Sequence, residues 1–66
     1  MSDILVHTEA GVMTLTLNRV DKKNSITAAM YSTLADALDQ AKADAAVRVV
    51  LLQGDATVFS AGNDIG

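Results

Sequence analysis

The sequence predicts an α/β fold in which a β-hairpin is followed by one helix and a third strand. Three observations support this fold class: alternating apolar residues as far as residue 18, apolar residues at helical spacing between 27 and 44, and an apolar run from 47 to 53. A strand, a helix and a further strand form a β-α-β unit, whose crossover is right-handed and whose two strands are parallel.

The hairpin is predicted from strands at 4–8 and 12–18. In the second strand, Met13, Leu15 and Leu17 lie on one face, and valine and threonine occupy the other. The connection passes through Ala10 and Gly11, and glycine readily adopts the unusual dihedral angles that a tight turn requires.

The helix is predicted over residues 27–44. Thr27 is a suitable N-cap residue, and strong helix formers follow it. An apolar stripe repeats at helical spacing and predicts the face that packs on the sheet. Its members are Met30, Tyr31, Leu34, Ala37, Leu38, Ala41 and Ala45. Tyr31 is expected in the core with its hydroxyl at the surface.

The third strand is predicted over residues 47–53. Apart from Arg48 and the closing Gln53 the run is continuously apolar, which is typical of a strand buried on both faces. Parallel strands on either side of the helix end at the same edge of the sheet. The first loop (residues 18–25) and the second loop (residues 54–66) should therefore meet there, where ligands of open α/β sheets bind.

The second loop contains a run of small residues that could border a ligand. Ser60, Ala61 and Gly62 would let a ligand approach the backbone closely. Backbone N–H groups at this point could stabilise a carbonyl oxygen that gains negative charge. The alternative is an ordinary surface turn, because the same composition is common in turns.

Composition argues against several classes of protein. The 66 residues carry a formal net charge of −3, no cysteine and one histidine. An acidic chain lacks the basic surface that nucleic-acid binding requires, and one histidine alone does not make a zinc site. No apolar run approaches the roughly 18 residues of a membrane span, and no signal-peptide pattern is visible. We therefore expect a cytoplasmic protein with no metal, nucleic-acid or membrane partner.

The proportion of hydrophobic residues, 50%, is high for so short a chain. Domains usually have about 100–150 residues, and a shorter chain buries a smaller fraction of its surface. No disulfide or metal compensates for the small size here. The composition therefore predicts that residues 1–66 are a piece of a larger core.

Two motifs, one in each loop, resemble the enoyl-CoA hydratase/isomerase (crotonase) superfamily. The first is Asn18-Arg19 followed by Lys22-Lys23-Asn24-Ser25-Ile26, and the second is Phe59-Ser60-Ala61-Gly62-Asn63-Asp64-Ile65. The order of the motifs, and the helix and apolar strand between them, fit this family over essentially the whole chain. Val20 stands where the family has proline, and Ser25 where alanine is common.

The resemblance implies a crotonase-like (ClpP/crotonase) fold, a spiral of β-β-α units of which this chain supplies the first turn. Residues 1–66 would then be the N-terminal part of a single crotonase-like domain. It implies an enzyme of fatty acid metabolism that binds acyl-CoA thioesters and stabilises their enolates in an oxyanion hole of backbone N–H groups. Coenzyme A enters as part of the substrate and no separate cofactor is implied. Homotrimers or homohexamers are the assemblies expected from the resemblance.

The resemblance also implies functional residues. Asn63 matches the position whose backbone N–H donates to the thioester carbonyl. Substrate binding is implied at Lys23, Ser25, Ser60, Ala61, Gly62, Asn63, Asp64 and Ile65. Lys22 or Lys23 would approach the CoA phosphates, whereas paired lysines are more often part of a solvated loop. Asp64 is expected chiefly to have a structural role, capping or bonding the loop.

Three functional interpretations follow. The first is an acyl-CoA hydratase or isomerase, and the Ser-Ala-Gly-Asn-Asp form resembles the Δ3,Δ2-enoyl-CoA isomerase branch. The second is a non-catalytic CoA-binding module with the same fold, and the third is a structural β-α-β segment whose loops bind nothing. The family's second oxyanion donor and its acid/base carboxylates lie downstream of these motifs. No acidic residue of this chain is therefore assigned their role.

Overall fold

The computed structural model describes residues 3–64, which form three strands and one α-helix. The strands are β1 (Ile4–Glu9), β2 (Val12–Leu17) and β3 (Val49–Gln53), and helix α1 spans Ala28–Ala43. A single 3-10 turn, Val20–Lys22, lies within the first loop. The sheet has the order β1-β2-β3, with β1 antiparallel to β2 and β2 parallel to β3. The predicted hairpin and β-α-β unit are confirmed.

The hairpin turn depends on two residues with positive φ. Ala10 has φ of 51° and Gly11 has φ of 81°, the combination that a two-residue type I′ turn requires. The Gly11 carbonyl also accepts hydrogen bonds from the N–H groups of Arg48 (2.7 Å) and Val49 (3.2 Å). The turn therefore fixes the point at which β3 begins.

Helix α1 begins where the sequence predicts. The Thr27 hydroxyl accepts a hydrogen bond from the Met30 N–H at 3.1 Å, which satisfies a donor that the first helical turn leaves unpaired. The helix ends before Asp44, whose carboxylate accepts from the Ala46 N–H at 2.9 Å. Within residues 3–64, no helix has the length and apolar character needed to cross a membrane.

The core lies between α1 and the predicted apolar face of β2. One cluster joins Ile4, Leu17 and Met30, and a second joins Met13, Leu15 and Ala37. Leu34 packs against both clusters. Full burial of a Leu, Ile or Met side chain contributes about 1.5–3 kcal/mol. The packing of α1 on the hairpin thus orders the part of the chain that precedes both loops.

The predicted double burial of β3 is wrong for this chain. All five residues of β3 are exposed, because β3 is an edge strand and α1 packs over β1 and β2. The strand also begins at Val49, two residues later than predicted, because a turn closed by the hydrogen bond from the Val47 N–H to the Asp44 carbonyl at 3.0 Å precedes it. The apolar side chains of β3 are suited to burial, but α1 does not pack against them.

The predicted apolar stripe is broader than the observed one. Met30, Leu34, Ala37 and Ala41 pack against the sheet, whereas Tyr31 and Leu38 are each 49% exposed and Ala45 is also exposed. At about 100° per residue, Tyr31 and Leu38 lie roughly 80–100° away from the line through Met30 and so flank the contact with the sheet. Ala45 lies beyond the end of α1, in the turn that follows it. The prediction that these three residues belong to the core is wrong.

Candidate functional site

The two loops meet at the carboxyl edge of the sheet, as their order in the chain predicts. Ile26 and Asn63 form an isolated parallel bridge. The Ile26 N–H donates to the Gly62 carbonyl at 2.8 Å, and the Asp64 N–H donates to the Ile26 carbonyl at 3.0 Å. A further bond, from the Ala61 N–H to the Lys23 carbonyl at 3.0 Å, extends the pairing towards the first loop. The end of the second loop is thus held as a short extended segment.

Asn24 joins the two loops from the inside and is fully buried. Its Oδ1 accepts from the Arg19 N–H at 2.7 Å, and its Nδ2 donates to the Val58 carbonyl at 3.3 Å. Its own carbonyl accepts from the Ser60 hydroxyl at 2.9 Å. Asn24 has φ of 56°, a left-handed conformation that asparagine tolerates better than most residues. One buried residue therefore bonds to both loops and adopts a backbone conformation that few residue types tolerate.

Arg19 joins the loops from the outside. Its Nη1 donates to Asp64 Oδ2 at 2.7 Å and to the Ser25 carbonyl and hydroxyl at 3.1 and 3.0 Å. The Arg19 and Asp64 side chains are 18% and 29% exposed, so solvent only partly screens their ion pair. Asp64 thus makes a structural contact, and its partner lies in the first loop, 45 positions earlier.

The Asn63 N–H has a direction that the bridge imposes. A trans peptide places its N–H opposite its C=O, and the Gly62 carbonyl points at Ile26. The Asn63 N–H therefore points away from Ile26, and it has no acceptor within residues 3–64. On either side, the Gly62 N–H donates to the Ser60 hydroxyl at 3.0 Å and the Asp64 N–H to the Ile26 carbonyl. The segment therefore offers a fixed, unengaged donor flanked by engaged ones.

The backbone beside this donor is open. Gly62 has φ of 100°, and a Cβ built at this position would meet nothing within 4 Å. A ligand can therefore approach the main chain closely, while an L side chain at position 62 would be strained.

Tyr31 contacts the same segment from helix α1. Its hydroxyl donates a hydrogen bond to Oδ1 of the Asn63 side chain. The Tyr31 N–H bonds to the Thr27 carbonyl at 3.0 Å, within the capped first turn of the helix. The tyrosine is therefore presented from a rigid element, although its ring is half-exposed.

The start of the second loop is closed by Asp55. Its Oδ1 accepts from the Val58 N–H at 2.7 Å and the Thr57 N–H at 2.9 Å, and the Thr57 hydroxyl donates one bifurcated hydrogen bond to the two carboxylate oxygens. The backbone N–H groups of Val58 and Thr57 hold the pKa of the Asp55 carboxyl below its ordinary value of 3.8, because they stabilise the charged form. A Cβ added at Gly54 would lie 2.4 Å from the Val58 carbonyl oxygen, so this turn requires glycine.

Most of the predicted site residues come together at this edge. Lys23, Ser25, Ser60, Ala61, Gly62, Asn63 and Asp64 all lie in the paired segments or directly beside them. Lys22 and Lys23 are exposed, and Ile65 lies outside the described residues. No group of three or more His, Cys, Asp or Glu side chains in residues 3–64 could hold a metal ion. Assignment of these residues to substrate binding stays a prediction.

Sequence reasoning missed three residues that shape the site: Arg19, Asn24 and Tyr31. Arg19 and Asn24 belong to the first motif, yet neither was assigned a role. An asparagine between Lys23 and Ser25 in a polar loop is a signal for a left-handed turn residue, which could have drawn attention to Asn24. For Tyr31 no comparable signal exists, because its partner lies 32 residues away.

Comparison with known proteins gives a consistent result. A family model described as enoyl-CoA hydratase/isomerase matches residues 7–66. The chain is 46% identical over 65 residues to a 1,2-epoxyphenylacetyl-CoA isomerase of Escherichia coli, covering 98% of this chain and 25% of that protein.

Two solved structures extend the comparison. The OdaA protein of Pseudomonas aeruginosa superposes with a TM-score of 0.95 at 54% identity, over 98% of this chain and 26% of that one. An enoyl-CoA hydratase of Mycobacterium tuberculosis superposes with a TM-score of 0.91 at 41% identity, over 97% of this chain and 28% of that one. The chain thus spans about a quarter of the length of these relatives.

Proposed function

The chain belongs to the enoyl-CoA hydratase/isomerase family, and from that premise we propose that it supplies one donor of an oxyanion hole for acyl-CoA thioesters. The predicted crotonase-like fold is confirmed, with the β-β-α unit as the first turn of the spiral. The protein that contains this chain would be an enzyme that binds an acyl-CoA or enoyl-CoA substrate and stabilises its enolate.

One observation carries the proposal: the Asn63 N–H is directed away from its paired strand and has no acceptor within residues 3–64. Removal of a proton next to a thioester, or addition of water across an adjacent double bond, places negative charge on the carbonyl oxygen. A preorganised N–H lowers that barrier because it needs no reorientation during the reaction. In this role the side chain at 63 is not required.

The surrounding residues fit a binding site for the remainder of the substrate. The exposed backbone at Ala61 and Gly62 would lie along the CoA moiety, with Ser25 and Ser60 beside it. Lys22 and Lys23 would face its phosphates. The Arg19–Asp64 ion pair and Asn24 would hold the two loops at a fixed separation, and the oxyanion donor with them.

The test uses the full-length protein and a thioester with a ¹³C-labelled carbonyl. Infrared difference spectra should show a lower carbonyl stretching frequency for the bound thioester, because hydrogen bonds polarise the C=O bond. Asn63→Ala keeps the N–H and should keep the shift. Asn63→Pro removes the N–H and should abolish most of the shift, and kcat should fall by about 10²–10³-fold. A bound thioester with an unshifted carbonyl in the wild-type protein would refute the proposal.

The reaction itself is separable from this proposal. The relatives carry more than one reaction: a 1,2-epoxyphenylacetyl-CoA isomerase is 46% identical to this chain and an enoyl-CoA hydratase is 41% identical. Supplying 2-enoyl-CoA and 3-enoyl-CoA substrates and identifying the products would distinguish a hydratase from a Δ3,Δ2-enoyl-CoA isomerase. A protein that binds CoA thioesters and converts neither would be the non-catalytic module.

Three further expectations stay predictions for the whole protein. These are a role in fatty acid metabolism, a cytoplasmic location, and assembly as a homotrimer or homohexamer with no cofactor beyond substrate CoA. Size-exclusion chromatography with light scattering of the full-length protein tests the assembly.

A further inference from the structure

The hydrogen bond between Tyr31 and Asn63 connects helix α1 to the residue that carries the proposed oxyanion donor. The two residues are 32 positions apart, and the bond is made to the side-chain oxygen, not to the main chain. The main chain of Asn63 is already fixed by its bridge to Ile26. The Tyr31 hydroxyl therefore constrains a part of the residue that the bridge leaves free, namely the carboxamide.

An asparagine beside an oxyanion donor presents a physical problem. Its carboxamide oxygen is a hydrogen-bond acceptor close to its own backbone N–H, and asparagine side chains commonly bond to their own or neighbouring backbone groups. An oxygen in that position would compete with the substrate carbonyl for the N–H. Its partial negative charge would also oppose the charge that develops on the substrate oxygen.

We propose that Tyr31 is a positioning residue: by engaging Oδ1 of Asn63, it keeps this oxygen away from the Asn63 N–H and leaves the donor available to a thioester oxygen. The inference rests on the proposed function and adds a residue to it. Tyr31 can hold the carboxamide in place because its own backbone is fixed: the Tyr31 N–H bonds to the carbonyl of the N-cap residue Thr27 at 3.0 Å.

The effect of the Tyr31 hydroxyl should depend on which side chain is present at position 63. Tyr31 matters only while position 63 carries a carboxamide that has to be restrained. Tyr31→Phe keeps the ring and removes the hydroxyl, so it releases the Asn63 side chain. Asn63→Ala removes both the competing oxygen and the partner of the hydroxyl, while it keeps the backbone N–H. The effect of Tyr31→Phe should therefore disappear in the Asn63→Ala background.

The experiment compares the wild-type full-length protein, the two single variants and the double variant with an enoyl-CoA substrate. Loss of a whole oxyanion donor costs about 10²–10³-fold in kcat, so intermittent competition by the released carboxamide should cost about 3–10-fold in Tyr31→Phe. KM should change less than kcat, because the donor acts mainly on the transition state. The kcat values of Asn63→Ala and of the double variant should agree within about twofold.

The carbonyl frequency of a bound ¹³C-thioester gives an independent reading. The shift on binding should be smaller in Tyr31→Phe than in the wild-type protein and should recover in the double variant. If Tyr31 had only a structural role, Tyr31→Phe would lower stability. The carbonyl frequency would then stay as in the wild-type protein, and kcat would not fall more than KM changes.

The outcomes test the proposed function and the positioning role of Tyr31 separately. An absent shift in the wild-type protein would refute the proposed function itself. A normal shift and normal kcat in Tyr31→Phe would overturn the positioning role and leave the proposed function standing. Equal losses from Tyr31→Phe in the wild-type and Asn63→Ala backgrounds would also overturn it, because the effect would not pass through the carboxamide.

Discussion

Replacement of Asn24 by alanine should loosen the contact between the two loops, because this buried carboxamide bonds to both of them. Asn24 is 0% exposed, and its side chain pairs with the Arg19 N–H at 2.7 Å and the Val58 carbonyl at 3.3 Å. Alanine would leave the part-buried Arg19 N–H without its acceptor, whereas the Val58 carbonyl would keep the hydrogen bond from the Asp55 N–H at 3.0 Å. The φ of 56° at position 24 would also strain the alanine.

The expected magnitude follows from these contributions. A donor left unsatisfied, here the Arg19 N–H, costs about 1–3 kcal/mol, and loss of the 3.3 Å bond to Val58 adds little because that carbonyl keeps a second donor. The left-handed conformation adds roughly 1 kcal/mol for a residue with a Cβ. The free energy of unfolding should therefore fall by about 2–4 kcal/mol in Asn24→Ala.

Two control variants separate the contributions. Asn24→Gly removes the same hydrogen bonds but tolerates the dihedral, so it should be destabilised by somewhat less than Asn24→Ala. Asn63→Ala removes an exposed asparagine with one side-chain hydrogen bond and should cost less than about 1 kcal/mol.

Urea unfolding of the full-length protein gives the free energies, provided that the m-value is unchanged between variants. Acyl-CoA affinity, measured by titration calorimetry, should fall together with stability in Asn24→Ala. A loss below about 1 kcal/mol would refute the reasoning, and so would a glycine variant as stable as the wild-type protein.

Three further predictions concern the turns. Ala10→Asn should raise the free energy of unfolding by about 0.5–1 kcal/mol in urea titrations, because Ala10 has φ of 51° and type I′ turns favour asparagine before glycine. Gly54→Ala should cost about 1–3 kcal/mol and weaken acyl-CoA binding, because its Cβ would lie 2.4 Å from the Val58 carbonyl oxygen; unchanged melting and affinity would contradict this. The folded pKa of Asp55 is depressed, so its contribution is present above the unfolded value near 3.8 and is lost as the pH falls through the lower folded value. The stability advantage of the wild-type protein over Asp55→Asn, followed by thermal unfolding from pH 7 downwards, should therefore shrink in that acidic range, and an advantage that grows with acid would contradict the assignment.

The sequence predicts the elements well because each depends on local information. The alternation in β2 predicts which face is buried, and Met13, Leu15 and Leu17 are the residues that α1 covers. The N-cap at Thr27 depends on an oxygen three residues from its donor, within one helical turn. The order strand, helix, strand predicts that both loops meet at one edge, since the direction of parallel strands requires it.

The contacts that shape the site could not be predicted in the same way, because they join distant positions. Arg19 and Asp64 are 45 residues apart, and Asn24 and Val58 are 34 apart. No periodic pattern links such pairs. The burial of β3 was predicted wrongly for a related reason: an apolar run indicates that a strand can be covered, and the position of the strand in the sheet decides whether α1 covers it.

Substitutions at the site should differ in effect, because some of its residues act through the main chain and others through their side chains. The direction of the Asn63 N–H follows from the planarity of one peptide and from the bond between the Gly62 carbonyl and the Ile26 N–H. Neither depends on the side chain at position 63, so this position can change while the donor keeps its direction. Arg19 and Asn24 act through side chains, and arginine and asparagine make bonds that shorter or apolar residues cannot reproduce. The chemistry of the site should therefore be more sensitive to residues of the first loop than to the side chain of the residue that carries the donor.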